Sequence, residues 1–265
     1  MGKPERDTQV RGVKRAQYQP NERLQKVLEK MQQADSDAAL WEEKGLALAE
    51  MGLYREAIEA FSRGMVREPG RGTLYLERGH RYINCGELQA ATADLTLASR
   101  MRPRDWNVYY HLGLAHYMLG EYDKAENAFR FGMRLSEADG DLVPMLYWCW
   151  TVLVHAGKME DAALLLEKVH AGMNAGDNEG YLKKLLVYKG ELTPEMILPD
   201  GRIEADVQSI SYAYGLSNYY YFLKGDAQKS EKLLDALLRV GAQTVWTSFA
   251  YHCAETERDR RAQGK

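Results

Sequence analysis

The sequence predicts an all-α protein, a right-handed superhelical solenoid of antiparallel helix pairs. Three observations predict it. First, the stretch from Trp41 to Pro69 returns when it is shifted by 34 residues: Trp41 becomes Tyr75, Gly45 becomes Gly79, Gly52 becomes Gly86, Ala57 becomes Ala91, Phe61 becomes Leu95 and Pro69 becomes Pro103. Second, a further shift places Tyr109, Gly113, Gly120, Ala125 and Phe129 at the same positions, with Glu137 where the proline stood. Third, these registers follow one another without insertion, and small residues recur where a helix pair has to be tight. Self-similarity of this period marks a stacked array in which each unit buries its apolar face against the next.

The elements follow in order. Residues 1–19 are polar and basic, with Lys3, Arg6, Arg11, Lys14 and Arg15 against Glu5 and Asp7, and read as a disordered arm. Asn21 is the expected N-cap of a capping helix over 20–34, whose Leu24, Val27, Leu28 and Met31 share one face. Four repeats are expected over 35–69, 70–103, 104–139 and 140–170. In each, a large head residue fills the space between helices, and a glycine four residues on lets the second helix approach. A second glycine ends the first helix in the left-handed region, and an alanine sits at the tightest point. The prolines stop the second helix, because the residue before a proline is steered away from helical geometry. The fourth register needs three added residues, with Gly157, Met159, Ala162 and Leu166 at the later positions and Trp150 where a small residue is expected. Residues 171–203 break the period as an irregular helical insertion. A long helix from about Ile203 to Lys224, a degenerate second helix around Ser230, Leu234 and Leu237, and a last helix carrying Val245, Trp246, Phe249, Ala250 and Cys253 complete 204–255. The charged end, 256–265, reads as a fraying tail.

These residues resemble the tetratricopeptide repeat (TPR), whose pattern is W-x-x-L-G-x-x-Y, then G-x-Y-x-x-A-x-x-x-F, then alanine and proline. The resemblance covers three regular registers and a fourth, looser one. A weaker resemblance covers the second half. Tyr188-Lys189-Gly190-Glu191-Leu192-Thr193-Pro194-Glu195, a loop, then Asn218-Tyr219-Tyr220-Tyr221-Phe222-Leu223-Lys224-Gly225-Asp226 and a closing aromatic helix are similar in order to the bacterial envelope TPR lipoproteins of the new lipoprotein I family. That family implies a dimeric bacterial adaptor for proteases and cell-wall hydrolases. Here neither a signal sequence nor a lipid-attachment cysteine stands near the start, so the envelope location is not carried over and a cytoplasmic one is expected.

Composition narrows the function. A net charge of −3 supplies no global field to recruit nucleic acid, and no apolar run is long enough for a membrane span. Cys85, Cys149 and Cys253 are far apart and without C-x-x-C spacing, which argues for packed thiols in a reducing compartment. Phosphate-loop, dinucleotide, H-E-x-x-H and G-x-S-x-G signatures are absent from the sequence, so no catalytic residue and no cofactor are assigned. His80, His111 and His155 fall on one face of the array, but no carboxylate or cysteine stands at ligand spacing beside them, and no metal is assigned.

The functional expectation is a non-catalytic protein–protein interaction scaffold or adaptor. In the TPR family the first helix of each repeat lines a concave groove. Carried over residue by residue, the groove positions are Leu76, His80, Ile83 and Asn84, then Asn107, Tyr110, His111, Leu114, Tyr117 and Met118, then Tyr147, Trp148, Thr151 and His155. They are aromatic, apolar and neutral, as binding surfaces prefer. The positions that clamp a C-terminal carboxylate in some TPR modules hold Leu76, His80, His111, Pro144 and Trp148, which argues against that ligand. The expected partner is a protein or peptide, not nucleic acid, with a homodimer through the 212–222 stretch or the Trp246 helix as a further option. Repeat packing, or the 171–203 insertion folding back, is the alternative account of the aromatics. A hydrolase with its site in 171–203 is the alternative of another class.

Overall fold

The computed structural model describes residues 18–33 and 37–263. Every regular element among them is helical. The basic arm expected over 1–19 therefore lies outside the described residues except for its last two positions, as do residues 264 and 265. The chain divides into two compact units, 1–104 and 105–265.

The first unit holds α1 (Glu22–Gln33) and two helix pairs, α2 (Ala38–Glu50) with α3 (Tyr54–Arg67) and α4 (Gly72–Asn84) with α5 (Leu88–Met101). The second unit starts with two more pairs, α6 (Trp106–Leu119) with α7 (Tyr122–Leu135) and α8 (Asp139–His155) with α9 (Met159–Leu166). It continues through α10 (Glu179–Lys189), the short α11 (Pro194–Ile197), α12 (Val207–Asn218), α13 (Ala227–Gly241) and α14 (Phe249–Ala262). Each helix of a pair packs on its partner and on the next pair in its own unit. No helix among the described residues is long and apolar enough to cross a membrane.

The residues that set the period do the work expected of them. A Cβ at Gly113 would lie 2.7 Å from the Phe129 ring, and one at Gly79 would lie 2.7 Å from the Leu95 side chain, so the bare backbone admits the large residue of the second helix. Gly120 ends α6 at φ 78°, a left-handed cap that returns N–H groups to the last carbonyls. Ala57, Ala91 and Ala125 are fully buried. Helices α3 and α5 stop two residues before Pro69 and Pro103. Helix α7 stops in the same phase without a proline, and the Ser136 hydroxyl donates back to the Gly132 carbonyl at 3.0 Å. Asn21 caps α1 by accepting from the Leu24 N–H at 2.8 Å, and Asp37 caps α2 in the same way.

The second half departs from the sequence reading in three places. Helix α12 begins at Val207, where Asp206 caps it, and not near 203. Its last turn, Tyr219–Leu223, is π-helical, and the helix continues to Lys224. Trp246 lies in a turn that precedes α14, because Ser248 accepts from the Tyr251 N–H and starts the helix there. The expected tail is helical through Ala262, because Glu257, Arg260 and Arg261 are engaged by the protein and not by water. The helix of the 171–203 stretch, α10, packs on α8.

Helix α8 contains Pro144, which removes the N–H that would bond Gly140. The freed Gly140 carbonyl accepts instead from the Asn178 side-chain amide at 2.8 Å. Asp139 accepts the Asn174 N–H at 2.9 Å. The loop after the fourth repeat is thereby pinned to the start of α8. Trp150, at the place of the small residue in earlier repeats, stacks on Tyr188 of α10 with ring centres 4.0 Å apart. The fourth pair thus packs with an added layer.

Two outcomes follow from this packing. Ala91→Leu overpacks the α4–α5 pair and lowers stability by about 1–3 kcal/mol, read as a reduced thermal midpoint; an unchanged midpoint contradicts the register. Asn178→Ala leaves the Gly140 carbonyl unpaired and lowers stability by about 1–3 kcal/mol in the same measurement, whereas Asn174→Ala, whose contact is through its backbone, stays near wild type.

Candidate functional site

The sequence-predicted groove positions fall in both units. In the first unit Leu76, Ile83 and Asn84 of α4 are buried and His80 is half-buried. The His80 Nδ1 accepts from Arg81 at 2.7 Å. Its neighbour Arg78 makes a bidentate pair with Asp94 at 2.7 and 2.8 Å and ties α4 to α5. Charge here is spent on holding the helix pair.

In the second unit the positions converge as the register requires. Asn107, Tyr110, His111, Leu114, Tyr117 and Met118 lie on α6, and Tyr147, Trp148, Thr151 and His155 on α8. All but Asn107 and His155 are buried by residue, and Asn107 is half-buried. The space before them is filled by the chain's own later helices. From α10, the Tyr181 hydroxyl lies 3.1 Å from that of Tyr110. From α12, the Tyr214 hydroxyl lies 2.5 Å from that of Tyr117. Trp148 is flanked by Tyr117, Tyr181 and Tyr214 within 6.3 Å. From α14, Phe249 sets its ring against His111. The aromatic side chains read from the sequence as groove-lining are buried beneath these later helices. Burial pushes the phenols of Tyr110, Tyr117, Tyr147 and Tyr214 well above their ordinary range.

The covering is polar at one end. His155 donates from Nδ1 to the Thr151 carbonyl at 2.8 Å, and its Nε2 meets the Glu257 carboxylate at 2.9 Å. Both side chains are about 5% exposed or less. Arg261 donates to the other Glu257 oxygen at 2.6 Å and to Ser230 at 3.0 Å. Arg260 donates to the Tyr117 and Met118 carbonyls at 2.7 and 3.0 Å and so caps the end of α6. Burial alone would push the Glu257 carboxyl up, but the hydrogen bond and charge of His155 and the charge of Arg261 outweigh it and hold it at about 2.

Lys184 of α10 is a second charged-type group in the core. Its amine donates to Ser211 at 2.6 Å and lies 3.8 Å from the Tyr147 ring centre and 4.3 Å from that of Tyr181. Burial pulls it well below the ordinary lysine range. The sequence reading missed Lys184, Glu257, Arg260 and Arg261, whose partners lie far along the chain. The one local signal was Glu257 four residues before Arg261 and three before Arg260, the spacing of one helix face.

His111 and His155 each donate to a carbonyl one turn back on their own helices. No group of three or more His, Cys, Asp or Glu side chains able to hold a metal ion occurs among the described residues. In the 212–222 stretch, Tyr214 and Tyr220 are buried and Tyr221 is exposed.

Residues 107–139, the α6–α7 pair, match the family model of the tetratricopeptide repeat. Over 88 residues the chain is 31% identical to tetratricopeptide repeat protein 12 of Mus musculus, covering 33% of this chain and 12% of that protein. Over 100 residues it is 27% identical to tetratricopeptide repeat protein 33 of Mus musculus, covering 38% of each. The matches thus span well under half the length of these relatives. The crystal structure of YrrB, a TPR protein with an unusual peptide-binding site, superposes with a TM-score of 0.50 at 14% identity over 86% of this chain and 97% of that one, a likeness of fold. Residues 107–139 thus form a tetratricopeptide repeat within an all-α array of helix pairs.

Glu257 sets an acid limit on the second unit. Its folded value lies below its unfolded one, so its stabilisation is complete above about pH 4.5 and is lost as pH falls towards 2. The loss is about 3 kcal/mol. Glu257→Gln removes that contribution at neutral pH and flattens the acid limb of stability against pH; an unchanged acid limb contradicts the pairing.

Proposed function

We propose that the protein is a non-catalytic interaction scaffold that holds a protein or peptide segment against the inner face of its repeats. One observation carries the reading: the inner face of α6 and α8 accommodates a helix, α14, through ring contacts at one end and charge-assisted hydrogen bonds at the other. A helix laid on a groove and anchored at intervals is a recurrent mode of peptide recognition. The repeat match at 107–139 falls on the helix that forms half of this face.

The finer parts of the proposal rest on the sequence. The likeness to envelope lipoproteins supports a bacterial adaptor. The three thiols support a reducing, cytoplasmic setting, and burial pushes Cys149 up to about 12, which keeps it protonated and unreactive. Pairing of two copies is assigned to the rim of the 212–222 stretch, where Tyr221 is exposed.

The test is a photo-crosslinking amino acid placed at Asn107, half-buried on the inner face, and in a second chain at Phe131, exposed on α7. In source cells the Asn107 probe joins a second polypeptide at a defined site and the Phe131 probe does not. Crosslinks from Phe131 alone would move the interface to the outer helices and sink the reading.

A further inference from the structure

One of the helices that cover the groove, α14, is far more charged than the two helices it lies on. Helices α6 and α8 present aromatic and aliphatic side chains. Helix α14 has the sequence F-A-Y-H-C-A-E-T-E-R-D-R-R-A and carries Glu255, Glu257, Arg258, Asp259, Arg260 and Arg261 within fourteen residues. A helix this short and this charged does not hold its form alone in water. Its fit depends on its seat.

Two parts of the seat are specific. The imidazole of His155, backed by the Thr151 carbonyl and with the Tyr117 hydroxyl 3.3 Å from Nε2, meets a carboxylate. The last carbonyls of α6, at Tyr117 and Met118, meet a guanidinium. In α14 these groups are Glu257 and Arg260, three residues apart and on one face. At the other end, Phe249 meets the His111 ring. An aromatic residue followed eight residues later by an acid and three more by an arginine therefore defines what the face accepts. The second side of α14 is apolar: Tyr251 packs into the space left by Gly241, and its hydroxyl donates to the Leu238 carbonyl. The link to the preceding helix, residues 242–248, is irregular, with its side chains exposed or half-exposed.

We propose that α14 is an exchangeable occupant of the groove, and that the partner is an amphipathic helix on another polypeptide carrying the same aromatic, acid and arginine pattern. The proposal rests on the inner face being the interaction face and specifies its ligand. The partner helix has to outcompete a tethered copy of its own pattern, whose effective concentration is in the millimolar range. The resident helix thus sets a threshold and rejects helices that lack the acid or the arginine, since these forgo the carboxylate contact to His155 or the guanidinium contact to the last α6 carbonyls.

The probe is a fluorescein-labelled synthetic peptide of residues 247–263, titrated against the full chain and followed by anisotropy. The full chain carrying Glu257→Gln and Arg260→Gln binds it at least tenfold more tightly than the wild-type chain, because its own helix competes less well. A peptide carrying both substitutions binds the variant chain at least tenfold more weakly than the unaltered peptide. No binding to a variant chain of wild-type circular dichroism overturns the proposal. A variant chain that dimerises by itself, in a form the peptide does not dissolve, overturns it in favour of exchange between copies. Hydrogen exchange on the unmodified full chain supplies a measurement free of folding defects. The amides of α14 exchange at least tenfold faster than those of α6 and α8 if the helix opens alone; exchange of all three only together makes α14 permanent core and ends the proposal. That result leaves the crosslinking outcome at Asn107 untouched, so the two readings fail separately.

Discussion

Helix α8 is buried on every side from Val143 to Val154, and the second unit is arranged around that fact. A helix with no polar face has to be covered all round. The repeats supply cover on one side, through α7 and α9. The other side needs helices from outside the repeat pattern, and α10, α12 and α14 meet that need. Trp150 stacked on Tyr188, and Trp148 among three tyrosines, are the contacts that result. In the regular repeats the first helix keeps small residues on the side of its partner and is thinner there; in α8 the same position holds an indole.

The price of closing a groove with side chains as polar as tyrosine and glutamate is that each polar atom needs a partner at depth. Most find one across the new interface. Phenol meets phenol between α6 and both α10 and α12. Carboxylate meets imidazole between α8 and α14, and guanidinium within α14. Lysine differs in kind: the Lys184 amine donates to Ser211 and also faces two rings. Its amine sits against ring faces, where a cation gains from the π-electrons and a neutral amine loses little. The pinning of the loop to Gly140 belongs to the same account: a proline was placed in a buried helix, and an asparagine 34 positions later in the chain answers the carbonyl it exposed.

What the sequence made readable was local. Gly113 facing Phe129, Gly120 in its left-handed cap, Ala91 without exposure and Asn21 at its cap each depend on residues within a turn or a repeat of one another, and the period displays them. The direction in which Tyr110, Tyr117 and Trp148 point was readable for the same reason. What they point at was not. Their partners stand on helices with no repeat register, and a tyrosine facing water in a groove is the same letter as a tyrosine facing a tyrosine. The end of the chain was misread for a related cause. Glu257, Arg260 and Arg261 sit in a run of charges, and charge density argues for solvent unless a distant imidazole and two carbonyls are known to be waiting.

The distance along the chain between the groove and its cover has a consequence during synthesis. His155 and Glu257 are 102 residues apart, and Tyr117 and Tyr214 are 97 apart. The repeats can pair as they leave the ribosome, since each helix has its partner within one period. Their aromatic side then stays uncovered until the last helix is made, about 5–20 s later at ordinary elongation rates. For that interval the nascent protein shows a sticky, tyrosine- and tryptophan-rich surface to its surroundings. A stalled or truncated product would keep that surface for good, and would be recognised by chaperones and proteases as unfinished.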